Sequence, residues 1–377
     1  MFVSAIRRVI PALMTIAILA SCGTPAGTGA NTTAASPASS TPATSTDASP
    51  AASARPTEVF LDATSSTVGS GLTIYSGRNE QLIGDLLKQY EAQTGVKVNV
   101  KYGDSSELAA TILEEGENSP ADVFFSQDAG ALGALGKEDR LTKLSDELLN
   151  KVDTRFRSPE GEWVGVSGRA RVVVFNSKTL TETDLPATIF EFTDPKWKGR
   201  LGWVPTNASF QSFVTALRVL QGEDKAKQWL EGIKANEPKV YENNTAAVKA
   251  VGAGEVDVAF VNHYYLFQQL KEQGESFAAR NHFLKNGDPG ALVNAAGAAV
   301  LKSSKNTVAA ENFVNFLLSP TAQEYFAQKT NEYPLIEGVE TNAALPKINE
   351  IQTPQIDLSK LEDLKGTLKL LQDTGIL

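Results

Sequence analysis

The feature that most restricts the fold is an alternation of short apolar strands with amphipathic helices, beginning at LTIYS, Leu72 to Ser76. RNEQLIGDLLKQYEAQTG follows, with Leu82, Ile83, Leu86, Leu87 and Tyr90 on one helical face and Gly95 placed to close it. VKVNVKY then alternates with period two, SSELAATILEEG reads as a helix capped by Ser105 or Ser106, and ADVFFS, Ala121 to Ser126, reads as a buried strand. Strand, helix, strand, helix, strand is the order of a parallel α/β layer.

A second layer follows RARVVVFN. LGWV is a strand, ASFQSFVTALRVLQG and TAAVKAVGAG are helices, and EVDVAFV, Glu255 to Val261, is a strand. AGAAVLK, Ala296 to Lys302, adds a strand before helices in TVAAENFVNFLLS and PTAQEYFAQKT, and GALGALG reads as an alanine-rich helical segment. The pattern predicts two α/β bodies. Open parallel sheets bind ligands beyond the carboxyl ends of their strands, so the residues just after ADVFFS and VDVAFV are the places to look for function.

Ahead of these bodies, MFVSAIRRVIPALMTIAILASC places Arg7 and Arg8 before an apolar run too short to span a membrane comfortably, which is the pattern of an export signal. Its ending, Leu19-Ala20-Ser21-Cys22, resembles the lipobox of bacterial lipoproteins, which implies cleavage after residue 21 and lipidation of Cys22. Cys22 is the only cysteine, so one chain can build neither a disulfide nor a multi-cysteine metal site. From Gly23 to about Pro56 the chain is almost wholly Ala, Ser, Thr, Pro and Gly, too poor in apolar surface to repay its ordering. As a flexible coil, roughly 45 residues would hold the folded body on the order of 35–40 Å from the membrane. Acidic residues outnumber basic ones, 44 to 35, with no basic run of the kind that tracks phosphate backbones, so nucleic acid is not the expected partner.

Just beyond the strand VDVAFV comes VNHYYLF, with Asn262, His263, Tyr264 and Tyr265 in succession. A phenol becomes a hard anionic oxygen ligand when a highly charged cation displaces its proton. Fe(III) suits such ligands best, and two phenolates favour it over Fe(II), zinc or copper. Two histidines and one cysteine in the whole chain argue against a zinc or copper receptor of the His-rich kind.

These residues lie within LTIYSGRNE, ADVFFSQDA, GVSGRARVVVFN, DPKWKGRLGWVPTNASF, GEVDVAFVNHYY, DPGALVNAAGAAVLK and NEYPL, taken in order over roughly 260 residues. Together they resemble the bacterial periplasmic ferric-ion-binding proteins, the receptors of iron(III) ABC importers. The resemblance implies a two-lobed type II binding-protein fold: two parallel-rich mixed sheets with flanking helices and a hinge of crossing strands. It divides the chain into a leader at 1–21, a lipidated tether at 22–70, lobe 1 at 71–170 with 296–345, and lobe 2 at 171–295 with 346–377.

The resemblance also assigns roles. Tyr264 and Tyr265 match the family's tyrosine ligands. Asn79 stands where members carry a histidine ligand and Gln127 where they carry a glutamate, so these two are possible metal or nearby residues, with Asp128 the acid if the register slips. Where some members supply a third tyrosine, the match is Phe175. Phosphate or carbonate is the implied synergistic anion, in a pocket matching Asn207, Ala208, Ser209 and Asn262. A helix start there supplies unpaired N–H groups whatever the family, with Asn207 also the natural cap. Arg78 can hold such an anion bidentately, whereas Arg169 and Arg171 are expected to brace the lobes. Strand alternation turns His263 away from Asn262 and Tyr264, and His282 falls in an expected surface loop.

The expected function is capture of Fe(III) outside the cytoplasm by a lipid-anchored monomer that delivers it to an ABC permease. A receptor of the same fold for an organic ligand or phosphonate-type oxyanion, with the tyrosines stacked on it, is the alternative. An anchored hydrolase is a minor one, since G-x-S-x-G, H-E-x-x-H, P-loop and G-x-G-x-x-G motifs are all missing.

Overall fold

The first layer is laid down by β1 (Leu72–Ser76), α1 (Glu80–Thr94), β2 (Val98–Tyr102), α2 (Ser105–Glu115), β3 (Val123–Ser126), α3 (Ala129–Lys137) and the short α4 (Asp146–Leu149). A long strand, β4 (Val164–Asn176), leads into β5 (Leu201–Trp203), α5 (Ala208–Gln221), α6 (Glu223–Ala235), β6 (Lys239–Val240), α7 (Asn244–Ala253), β7 (Val258–Asn262), α8 (Tyr264–Gln273) and β8 (Ala279–His282). β9 (Val293–Val300), α9 (Thr307–Leu317), α10 (Pro320–Tyr325), β10 (Tyr333–Pro334) and α11 (Leu364–Asp373) complete the chain. This computed structural model describes residues 71–377, so the leader, Cys22 and the tether lie outside the described residues. Among the described residues no helix is long and apolar enough to cross a membrane.

The expected boundaries hold where the local chemistry is strong. Asn79 caps α1 by accepting from the Leu82 amide at 3.0 Å, and Gly95 closes the helix at φ 71°, a conformation costly for residues with a Cβ. In α2 the cap is Asp104, one residue before the expected serines, because its carboxylate accepts from the Ser106 amide.

The sheet order is β2-β1-β3-β9-β4-β7-β5-β6, with β8 and β10 also on β4. Pairing is parallel in β1/β2, β1/β3, β5/β6 and β5/β7, and antiparallel wherever β4 or β9 takes part. The two parallel-rich sheets are thus two wings sharing one strand. The first half of β4 pairs with β9 and the second half with β7 and β8. All thirteen residues of β4 are buried, two arginines included, because both of its edges and both of its faces are covered.

Each wing has its own packing. Ile74, Leu86, Phe124, Leu132, Phe313 and Phe326 belong to one apolar cluster. Val173, Phe192, Phe213, Trp229 and Phe260 belong to another, and Val174, Val248 and Val261 to a third on the opposite face of the second wing. The last segment, expected wholly in lobe 2, is divided: Ile351, Leu358 and Leu361 pack in the first cluster and Leu371 in the second. It passes over the glycine face of α3, where a Cβ on Gly130 or Gly133 would lie 2.4 Å from the Leu361 or Ser359 carbonyl oxygen. Glu362 then pairs with Lys137 of α3 at 2.7 Å, and the next residue, Asp363, with Arg218 of α5 at 2.8 Å.

Candidate functional site

Where β4 crosses from one wing to the other, Arg169 and Arg171 project to the same side, two residues apart. Their strand neighbours are Asn294 and Asn262. β7 ends at Asn262 and α8 begins at Tyr264, so the chain turns from strand to helix within one residue, His263, which is already helical at φ −59°, ψ −36°. The expected strand-like run through His263 is therefore replaced by a helix start. Both nitrogens of this histidine are engaged: Nδ1 accepts from the Ala170 amide at 3.1 Å, and Nε2 faces the Asn331 carbonyl at 2.8 Å. An accepting Nδ1 leaves the proton on Nε2, which donates, so the ring is the neutral tautomer. Burial depresses its pKa to about 4.

The two phenols beside it converge. Adjacent positions on a helix point about 100° apart. Nevertheless the Tyr264 hydroxyl donates to that of Tyr265 at 3.2 Å, with ring centroids 4.4 Å apart. Tyr264 is buried at 2% exposure and Tyr265 half-buried, which leaves one oxygen pair at the edge of the interior. Burial, reinforced by the neighbouring phenol, raises the pKa of Tyr265 above its usual value, so a highly charged cation must displace its proton.

On the second wing the phenols meet a cluster of amides. Asn207 caps α5, its Oδ1 accepting from the Ser209 amide at 3.1 Å and from Asn244 Nδ2 at 3.1 Å. Asn244, 1% exposed at the start of α7, lies close enough to the Tyr265 phenol to pull its pKa down, and its own Oδ1 has no partner among the described residues. The cap of α7 is Asn243, which frees Asn244 to point into the site. Asn207, Ala208 and Ser209 are half-buried around the first turn of α5. Asn262 is buried and accepts from Arg171 Nη1 at 3.3 Å, while Arg171 Nη2 donates to the Phe260 carbonyl and the guanidinium lies over Phe213. Arg171 therefore braces β4, β7 and α5, and burial lowers its pKa to about 10.

Arg169 does something else. It is 1% exposed, and none of its three guanidinium nitrogens has a hydrogen-bond partner among the described residues. It acts at longer range on Asp128 and Glu332, favouring the charged form of each. A buried cation without an acceptor is expensive, so this group calls for an anion.

On the first wing Arg78 is completely buried and completely engaged at its fork. Nη2 donates to Glu332 at 2.6 Å, and Nη1 to Glu332 at 3.0 Å and to Gln127 Oε1 at 2.8 Å. Glu332 accepts further from Ser167 Oγ at 3.2 Å and Thr330 Oγ1 at 3.0 Å. Burial pushes the Glu332 carboxyl up, but Arg78 and Arg169 outweigh it and hold it below the usual range. The end-on face of Arg78 is thus occupied inside the protein, and Nε on its side edge has no partner among the described residues.

Other expected positions have local duties. Asn79 is exposed as the α1 cap, and Gln127 orients Arg78. Asp128 caps α3 through the Gly130 amide and is buried, which raises its pKa against the pull of Arg169. Phe175 is packed in the second cluster and offers no phenol. His282 ends β8 opposite Val173 instead of lying in a loop. A groove of about 1130 Å³ between residues 150–156 and 334–349 holds none of the expected residues. Sequence reading missed Glu332 and Asn244 and undervalued Arg169. The doubled asparagine of ENNTAAV was the one legible trace of Asn244.

Two parallel-rich wings sharing one crossing strand, with a polar site at their junction, define a two-lobed periplasmic binding protein. The chain belongs to the bacterial extracellular solute-binding protein family, whose model matches residues 118–358. It is 36% identical over 310 residues to the major ferric iron-binding protein of Neisseria meningitidis, covering 81% of this chain and 93% of that one. Among solved structures, iron-bound HitA from Pseudomonas aeruginosa aligns with a TM-score of 0.77 at 38% identity, over 81% of this chain and all (100%) of HitA. The Trichodesmium IdiA (FutA) protein in complex with iron and citrate aligns with a TM-score of 0.72 at 31% identity, over 81% and 99% of the two chains.

Proposed function

We propose that this protein captures Fe(III) outside the cytoplasm and hands it to the permease of an ABC importer, as a monomer held to the membrane by a lipid on Cys22. The observation that carries the reading is the pair of phenol oxygens 3.2 Å apart beside a buried guanidinium with no partner among the described residues. Tyr264 and Tyr265 bind the metal as phenolates. A small anion, phosphate or a carboxylate such as carbonate or citrate, bridges from the metal to Arg169, the first-turn amide of Ala208, the Ser209 side chain, and the side-chain amides of Asn207 and Asn244. Asn262 contributes through the brace it forms with Arg171. Such an arrangement supplies two hard anionic donors and a positively polarised pocket for a third, which matches a small trivalent cation.

Adding ferric citrate to the soluble domain should produce a red to orange phenolate-to-iron charge-transfer band. Tyr264→Phe and Tyr265→Phe should each weaken it strongly, and the double variant should abolish it. A colourless protein whose melting temperature ignores iron would defeat the reading and favour an organic ligand.

A further inference from the structure

We infer that Glu332 limits the anion affinity of this site by neutralising the Arg78 guanidinium. The inference deepens the pocket reading above and rests on it. Arg78 and Glu332 lie 254 residues apart in the chain, and the pair is buried to 0% and 1% exposure. Oε2 of Glu332 accepts from Arg78, Ser167 and Thr330 and Oε1 from Arg78, so both oxygens are held by fixed donors. Glu332 takes the end-on pair of terminal nitrogens. What stays free of the guanidinium is its side edge, Nε and the second N–H of Nη2, and the charge behind that edge is already matched by the carboxylate.

The segment that carries Glu332 is itself fixed on both sides. Asn331 sits at φ 56° and its carbonyl takes the His263 ring proton, Tyr333 stacks on the same ring at 4.8 Å, and β10 pairs with Gly168 and Ser167 of β4. The carboxylate is therefore held by backbone anchored next to the tyrosine helix and cannot swing away to release Arg78. Two buried cations act on the phenols, Arg78 of the first wing, paired with a carboxylate, and Arg169 of the crossing strand, in hydrogen-bond contact with none. With one free cation the pocket suits a single small anion; with two it would grip anions more tightly and compete with the phenolates for the metal's remaining positions.

The test is calorimetric titration of the iron-free protein with inorganic phosphate. Glu332→Gln keeps the shape and removes the charge, so Arg78 is released and phosphate should bind about tenfold tighter or more. In Arg78→Gln/Glu332→Gln both partners lose their charge together, which avoids a buried orphan, and phosphate affinity should stay within about threefold of the parent. If Glu332→Gln binds phosphate no better than the parent, or if the double variant loses tenfold or more, Arg78 is itself the anion holder and the inference is overturned. The double variant decides the matter even if the single one fails to fold. Because the readout contains no iron, failure of the ferric reading would appear in the charge-transfer band and not here.

Discussion

Arg78 and Arg169 are both almost wholly buried and flank the same pair of phenols, yet one spends both ends of its fork on the protein and the other spends nothing. The first wing presents a network of Arg78, Gln127, Ser167, Thr330 and Glu332 that leaves only the side edge of Arg78 open. The second wing and the crossing strand present Arg169 and Asn244 Oδ1 without partners, next to a half-buried hydroxyl. The difference shows where the free energy of ligand binding is stored. A satisfied network contributes rigidity, whereas unpaired buried groups gain their missing interactions only when a ligand arrives.

The largest expected effect comes from pH. Tyr264 donates a hydroxyl proton in the iron-free protein and burial keeps Tyr265 protonated, so binding as two phenolates releases two protons. Binding that releases protons weakens as pH falls, by about a hundredfold per pH unit for two phenols. Competition against a chelator of known protonation should show this slope, and Tyr265→Phe should roughly halve it in logarithmic terms. A pH-independent affinity would mean the phenols are not the ligands.

Next in size, Arg169→Gln should lower ferric affinity in the presence of phosphate by about 10–100-fold, the order expected for one buried charge-assisted contact. The same change should raise the melting temperature of the iron-free protein, because it removes a buried unpaired charge. Loss of both affinity and stability would instead make Arg169 a structural brace like Arg171.

A smaller effect sits on the residue that ties the wings together. His263 is neutral in the fold with its pKa depressed to about 4, below an unfolded value near 6.5. The unfolded chain therefore binds the extra proton first, and the contribution of this group is complete above about pH 6.5 and lost as pH falls toward 4. The slope it imposes on unfolding free energy is at most about 1.4 kcal/mol per pH unit. Denaturant titrations of the parent and of His263→Gln between pH 4 and 7 should differ in this slope; parallel curves would place the depressed titration elsewhere.

Much of the fold was legible because its signals are local. Strands read as apolar runs, helices as periodic faces, and the capping residue Asn207 announced its turn, whereas the capping role of Asn79 was not read. α6 was within reach too, since Ala226, Trp229, Leu230 and Ile233 make one buried stripe. The tyrosine pair stood out because two phenols at a strand end have few other uses. Glu332 did not, since its meaning depends on a partner 254 residues away that no periodicity connects to it. For Arg169 and Arg171 the sequence offers two arginines at equal spacing on one strand. Only tertiary packing decides that Arg171 finds the Phe260 carbonyl while Arg169 finds no acceptor.

β4 runs unbroken from Val164 to Asn176 and exchanges hydrogen bonds with β9 and β10 on one wing and β7 and β8 on the other. No loose joint interrupts it. Any rotation of one wing against the other is therefore absorbed as twist of a continuous ribbon, and twisting a ribbon stores elastic energy where bending a loop would not. Arg169 sits at the centre of that ribbon, so the part of the molecule that would meet the anion is also its torsion spring.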